Sequence, residues 1–177
     1  MRWSRIAGFL ILAVGLAGAR GFAQAKTASH QVSFSVVGMT SLSLNDSSPI
    51  ALNLYVPTDG GFPQGETDTS KGLKYTVLNP PGSNSRIQVS MIGTMPKGTA
   101  LRVEAIGGRP ELGAAVPGGV AISNREQDLI TDIPSCYTGR FAPDGVALRY
   151  SFVAVEPSEI EVGAGTEVTI RYTISDG

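Results

Sequence analysis

One cysteine, one histidine and one tryptophan stand in 177 residues, and the first two of these scarcities each remove a class of chemistry. With Cys136 alone, no disulfide can close within the chain. Cys136 and His30 together fall short of the four ligands of an ordinary structural zinc site. A Ser-His-Asp triad would have to be built on His30, close to the start of the exported chain. No Gly-x-Ser-x-Gly elbow, no phosphate-cradling glycine loop ending in Lys-Ser or Lys-Thr, and no His-Glu-x-x-His occurs. The expectation is a protein that is not an enzyme, with no catalytic, cofactor-binding or metal-binding residues.

Long apolar runs are also missing, apart from one at the start. Arg2 and Arg5 precede an apolar stretch from Ile6 to Ala19, and Ala23-Gln24-Ala25 supplies a small-x-small cleavage pattern. The stretch is short of the roughly 20 residues that a spanning helix needs. It reads as a signal peptide over residues 1–25, with the mature chain starting at Lys26 and no transmembrane anchor left after cleavage. Position 26 is not the cysteine that a lipid anchor requires. The compact signal points to a bacterial protein, secreted or periplasmic.

A basic excess is absent as well. The whole chain holds 14 Lys and Arg against 15 Asp and Glu, and the signal takes Arg2, Arg5 and Arg20 with it, leaving eleven against fifteen. A mature charge near −4 with no basic run excludes nucleic acid as a partner, because neutralising phosphates needs a cationic face. Residues 26–177 suit a single domain, long enough to bury a core without disulfides.

What is present is alternation of period two, the spacing that puts every second side chain on one face of a sheet. Val32, Phe34 and Val36 alternate with Ser33 and Ser35 in an N-terminal strand over His30 to Val37. Further runs are Ile50–Val56, Leu73–Val77, Ile87–Met91, Leu101–Ala105, Val146–Phe152 and Val168–Ile174. Asn124 to Ile130 reads equally as a short helix or as a turn into a strand over Leu129 to Ile133. Pro57, Pro80, Pro81, Pro96, Pro110, Pro117, Pro134, Pro143 and Pro157 fall in the gaps, as residues that cannot donate to a central ladder should. The pattern predicts an all-β protein, an antiparallel immunoglobulin-like β-sandwich of about seven to nine strands following the signal helix.

Two stretches, Thr58–Gly72 and Gly107–Gly119, read as long loops that serve binding or lack order. Asp59, Glu66 and Asp68 make the first one acidic, but three scattered carboxylates are too few converging oxygens for calcium. Most aromatics occupy core-phase strand positions. Phe62, Tyr137 and Phe141 remain as the candidate interaction residues, and Cys136 as a candidate free thiol, set between Ile133 and Tyr137. Glu159 and Glu161 would share a strand face if residues 158–162 are extended; paired carboxylates serve glycoside hydrolysis, yet two acids on a wet sheet face are the ordinary arrangement.

Asp128 to Gly139, Asp-Leu-Ile-Thr-Asp-Ile-Pro-Ser-Cys-Tyr-Thr-Gly, then an alternating strand and the ending Thr-Glu-Val-Thr-Ile-Arg-Tyr-Thr-Ile-Ser-Asp, resemble small secreted bacterial β-sandwich proteins of unassigned role. Those are in turn loosely similar to pilus and spore-coat subunits, whose immunoglobulin-like folds are completed by exchanging a strand. The likeness covers roughly the last fifty residues. It implies a subunit of a surface assembly whose partners are copies of itself or other assembly components. The chain departs from the pilin pattern in two ways: Tyr172 is followed by five residues instead of being penultimate, and no internal disulfide is available. The N-terminal strand either pairs within its own sheet or is donated to a neighbour. The rival expectation is a monomeric module that binds a glycan or a protein through its loops.

Overall fold

Side chains on alternating sides of each strand find a core on one side and water on the other, and this sorts the chain into two large antiparallel sheets, with one further two-stranded pair. The computed structural model describes residues 31–163 and 165–176. The signal peptide expected over residues 1–25, Lys26 and His30 lie outside them. In chain order the strands are β1 (Met39–Leu44), β2 (Leu54–Tyr55), β3 (Gln64–Gly65), β4 (Thr67–Asp68), β5 (Gly72–Leu78), β6 (Ser85–Ile92) and β7 (Thr99–Ile106). Then come β8 (Ala114–Ala115), β9 (Val120–Ala121), β10 (Gln127–Ile133), β11 (Cys136–Tyr137), β12 (Val146–Ala154) and β13 (Thr169–Asp176). One helical turn, α1 (Thr138–Phe141), and 3-10 turns at Pro110–Leu112 and Pro157–Glu159 complete the set. Seven of the strands have six or more residues, so the expected all-β antiparallel sandwich is what forms.

The first sheet runs β1-β5-β12-β7-β9, with β11 also on β5 and β4 also on β12; the second runs β13-β6-β10-β8. Strand β12 is central. One side pairs along its whole length with β7, from Ala147↔Ile106 to Ala154↔Thr99. Its other side is shared by β5 at Val146↔Leu73 and β4 at Tyr150↔Asp68. Backbone bonds from Leu148 N to Lys71 O and from Phe152 N to Glu66 O join those two pieces into one long partner. Gly65 belongs to that close approach: a Cβ there would lie 1.5 Å from the Phe152 carbonyl oxygen.

Leu73, Tyr75 and Val77 of β5, Val103 of β7, and Leu148 and Tyr150 of β12 face Ile87 and Val89 of β6 and Leu129, Ile130 and Ile133 of β10 across a buried core. One flank of the sandwich is closed by the chain itself. Strand β9 pairs with β7 in the first sheet, Ile122 N bonds to Leu101 O, and Ser123 O then accepts from Met91 N of the second sheet. The segment thus changes sheets before β10. At the other flank, β1 and β13 are the outermost strands of their sheets.

Several expectations need correcting. Residues 31–38 carry no strand, and the first strand is Met39–Leu44. Of Ile50–Val56 only Leu54–Tyr55 pairs, with β3; Ile50 and Leu52 pack against the core without a ladder. The stretch 124–130 resolves in favour of a strand, since β10 starts at Gln127. Both expected long loops contain paired structure: β3 and β4 in the first, a 3-10 turn and β8 in the second. Glu159 ends a 3-10 turn instead of sharing an extended strand with Glu161.

A candidate interaction surface

The open flank is built from two edge strands whose inward side chains are incompletely covered. In β13, Ile170, Tyr172 and Ile174 oppose Met91, Val89 and Ile87 of β6, which puts them in core phase, yet all three are only half-buried. In β1, Leu42 and Leu44 oppose Tyr75 and Leu73 of β5 and are likewise half-buried. Across the flank the Tyr172 hydroxyl meets that of Tyr150 at 2.6 Å, tying the second sheet to the middle of the first. Burial pushes both phenols above their ordinary range, Tyr172 the further. A second tie is the Tyr75 hydroxyl donating to the Leu112 carbonyl at 2.5 Å, and burial raises that phenol too.

Outer edges of this kind present unpaired backbone N–H and C=O groups, the template on which a further strand can be laid. Natural sheets blunt such edges with lysine, proline or bulges. Neither β1 nor β13 contains lysine or proline, although β13 carries the exposed charges of Arg171 and Asp176, and β13 pairs with β6 in unbroken register over eight residues. Preceding β1, residues 31–38 hold Val32, Phe34, Val36 and Val37, all exposed, with Phe34 at 89% and Val36 at 87%.

The candidate aromatics do not form one surface. Phe62 lies in the turn of the β2–β3 hairpin and is 57% exposed, near the C-terminal end of β12, where Gly65 meets Phe152. Tyr137, 52% exposed, sits in β11 against Thr76 of β5, in a different sheet from the β2–β3 pair. Phe141 follows in α1, half-buried, with the Arg140 guanidinium 5.2 Å from its ring centroid. Cys136, adjacent to Tyr137, pairs with Val77 and is half-buried. Burial pushes its thiol up, which lowers the fraction present as the reactive thiolate.

The acidic residues of the first expected loop are dispersed and engaged separately. Asp59 accepts from Gly61 N, Asp68 from Ser70, and Glu66 from the backbone and side chain of Asn53. Glu161 pairs with Lys97 at 3.1 Å on the exposed surface. Among the described residues no group of three or more His, Cys, Asp or Glu side chains converges as a metal site would require. A shallow depression of about 380 Å³ lies between the β5–β6 turn and β10, lined by Asn84, Arg86, Asp128 and Asp132 among others.

Sequence reasoning missed Lys71. It is 6% exposed and its ammonium donates to Asp46 at 2.6 Å and to Ser48 Oγ at 2.8 Å. This bond, with those from Ser48, holds the Asp46 carboxyl well below the usual carboxylate range. Asn45 adds backbone-bridging bonds to Gly72 N and Ser70 O. The cluster fastens the chain leaving β1 to the start of β5. With both of those acceptors engaged, Lys71 serves as a tie. No sequence signal marks it, because a lone lysine before a strand reads as surface.

No protein-family model matches the chain, and neither does any curated protein or solved structure.

Proposed function

We propose that the chain is an exported, non-enzymatic structural or interaction module, and that it serves as a subunit of a bacterial surface assembly. The observation that carries this reading is an alternating apolar segment, Val32 to Val36, which is exposed and forms no strand in a protein whose two large sheets end in β1 and β13 at one flank. A segment of period two is suited to strand addition: the edge supplies main-chain hydrogen bonds, and alternate side chains find apolar cover. Half-buried Leu42, Leu44, Ile170 and Tyr172 provide that cover at the open flank. The rival reading, a monomer binding a glycan through loop aromatics, has less support, because Phe62 in the β2–β3 hairpin and the pair Tyr137 and Phe141 beside β5 belong to different sheets.

The test is the mass of residues 26–177 by size-exclusion chromatography with light scattering, over a range of concentrations, with and without reductant. Defined oligomers that persist in reductant and collapse to monomer in Phe34→Asp support the reading. A monomer at every concentration overturns it, and a dimer lost on reduction assigns association to Cys136 instead.

A further inference from the structure

Among the described residues thirteen large apolar side chains are exposed, and eleven of them fall into two groups. Five belong to the run into β1: Val32, Phe34, Val36, Val37 and Met39. The other six, Tyr55, Val56, Phe62, Ile92, Val155 and Val162, gather at one end of the sandwich. Strands β6 and β12 run into that end at Ile92 and Ala154, β7 and β13 start from it at Thr99 and Thr169, and the β2–β3 hairpin lies beside Phe152. Single exposed apolar side chains are ordinary, but a gathering of them marks an interaction surface. The connections at this end are also acidic: residues 56–63, 93–98 and 155–168 hold Asp59, Glu156, Glu159, Glu161 and Glu167 against Lys97 alone. All five carboxylates belong to exposed residues. The N-terminal segment has the opposite charge, since no Asp or Glu precedes Asp46 anywhere in the sequence. With cleavage before Lys26, the segment opens on an α-amino group and Lys26, followed by His30 and then the alternation from Val32.

We propose that this acidic, apolar end receives the cationic start of a second copy's N-terminal segment and so fixes the direction in which the segment is laid along the open flank. The proposal rests on residues 32–36 being donated as a strand, and adds the receptor and the polarity. Strand β1 begins opposite Leu78 and runs toward the acidic end, while β13 runs away from it. A segment that starts at the acidic end is therefore antiparallel to β1, the slightly more stable pairing, and parallel to β13. The lengths agree. Leu44, the last residue of β1, is level with Leu73 and Val146, and β12 rises about 26 Å from there to Ala154. From Val32 back to Lys26 the extended chain spans roughly 20 Å, and the lysine side chain brings its ammonium within reach of Glu156 and Glu159. Within one copy Phe34 stays 89% exposed, so the receptor belongs to another copy. Such a contact joins two different surfaces, and it builds a ring or a line instead of a two-fold dimer.

The test is a titration by fluorescence anisotropy. A synthetic peptide of residues 26–38, labelled at its C-terminus, is added to residues 26–177 carrying Phe34→Asp, which keeps the protein's own segment from competing. The peptide should bind, and Lys26→Glu in the peptide should weaken binding about three- to tenfold. Replacing Glu156, Glu159 and Glu167 together by glutamine in the protein should cost a similar factor. All three are exposed, so the fold is not at stake. The Lys26→Glu peptide should regain affinity for a protein carrying Glu156→Lys and Glu159→Lys, and ionic strength near about 1 M, which cuts the screening length to ~3 Å, should reproduce the loss. Binding that is indifferent to salt and to both charge changes overturns the acidic receptor and leaves strand addition standing. Loss with the Lys26→Glu peptide but none with the glutamine protein overturns it as well, because the basic start then lies elsewhere. No binding of the unaltered peptide overturns the receptor and strand addition together.

Discussion

The bond between Tyr150 and Tyr172 gives the sharpest test of how the two sheets are held. At 2.6 Å the two oxygens lie within the ordinary range for O–H···O, and each hydroxyl is the other's partner. Replacing one tyrosine by phenylalanine strands the remaining hydroxyl in an apolar setting, a loss of about 1–3 kcal/mol. Replacing both removes donor and acceptor together and leaves two rings of nearly unchanged shape, so the double variant should lose less than the two single losses combined. For a domain of this size each 1 kcal/mol corresponds to roughly 2–4 °C in Tm, so each single variant should melt about 2–12 °C lower than the parent. Urea unfolding of the parent, Tyr150→Phe, Tyr172→Phe and the double variant, with a common m-value, yields the coupling directly. Additive losses would refute the claim that the hydroxyls satisfy one another, and with it the tie between the sheets.

The same burial makes a pH prediction. Tyr75, Tyr150 and Tyr172 ionise at higher pH in the fold than in the unfolded chain, so the stability they contribute is intact below about pH 10 and is lost as pH rises beyond it. Thermal midpoints should fall on the alkaline side, less steeply in the double phenylalanine variant. On the acid side, the carboxylate of Asp46 is stabilised by Lys71, so its contribution is present above about pH 4 and is lost as pH falls. Asp46→Asn should melt lower at neutral pH and show a shallower acid decline. Gly65→Ala forces a methyl into the Phe152 carbonyl and should cost about 3 kcal/mol by chemical denaturation, whereas Gly163→Ala, with open space around it, should change little. Cys136 should react slowly with iodoacetamide at pH 8 in the folded chain and rapidly in urea, followed by intact mass; equal rates would contradict its partial burial.

The strands that were legible in the sequence are those with one wet face and one dry face. Leu73, Tyr75 and Val77 alternate with Lys74 and Thr76, and the structure buries the first set and leaves the second partly exposed. Strand β1 was missed because an edge hides little: of Met39–Leu44 only Leu42 and Leu44 are even half-buried, and serine and threonine fill the remaining positions beside Met39. The run Val32–Val36 misled for the opposite reason, since alternation records a capacity to pair and not whether a partner is present. In β10 the register shifts twice, between Asp128 and Ile130 and again before Ile133, with Asp132 at φ 52°. Bulges of this kind break the period of two, and Leu129, Ile130 and Ile133 all end up inside, which is why the segment looked as much like a helix. Two-residue bridges such as β3, β4 and β9 are too short to show any period. The open flank was invisible because it depends on which strands end a sheet, a fact of long-range order that local pattern does not carry.

The position of β12 between β7 and the run formed by β4 and β5 has a consequence for how the chain comes together over time. A chain emerging N-terminus first presents residues 67–78 and 99–106 long before residues 146–154 arrive to bridge them. Until then the first sheet lacks the strand that joins its two halves. Closure of the first sheet is therefore postponed to the last fifth of synthesis or passage, and in the interval its incomplete form is the species most open to misassociation.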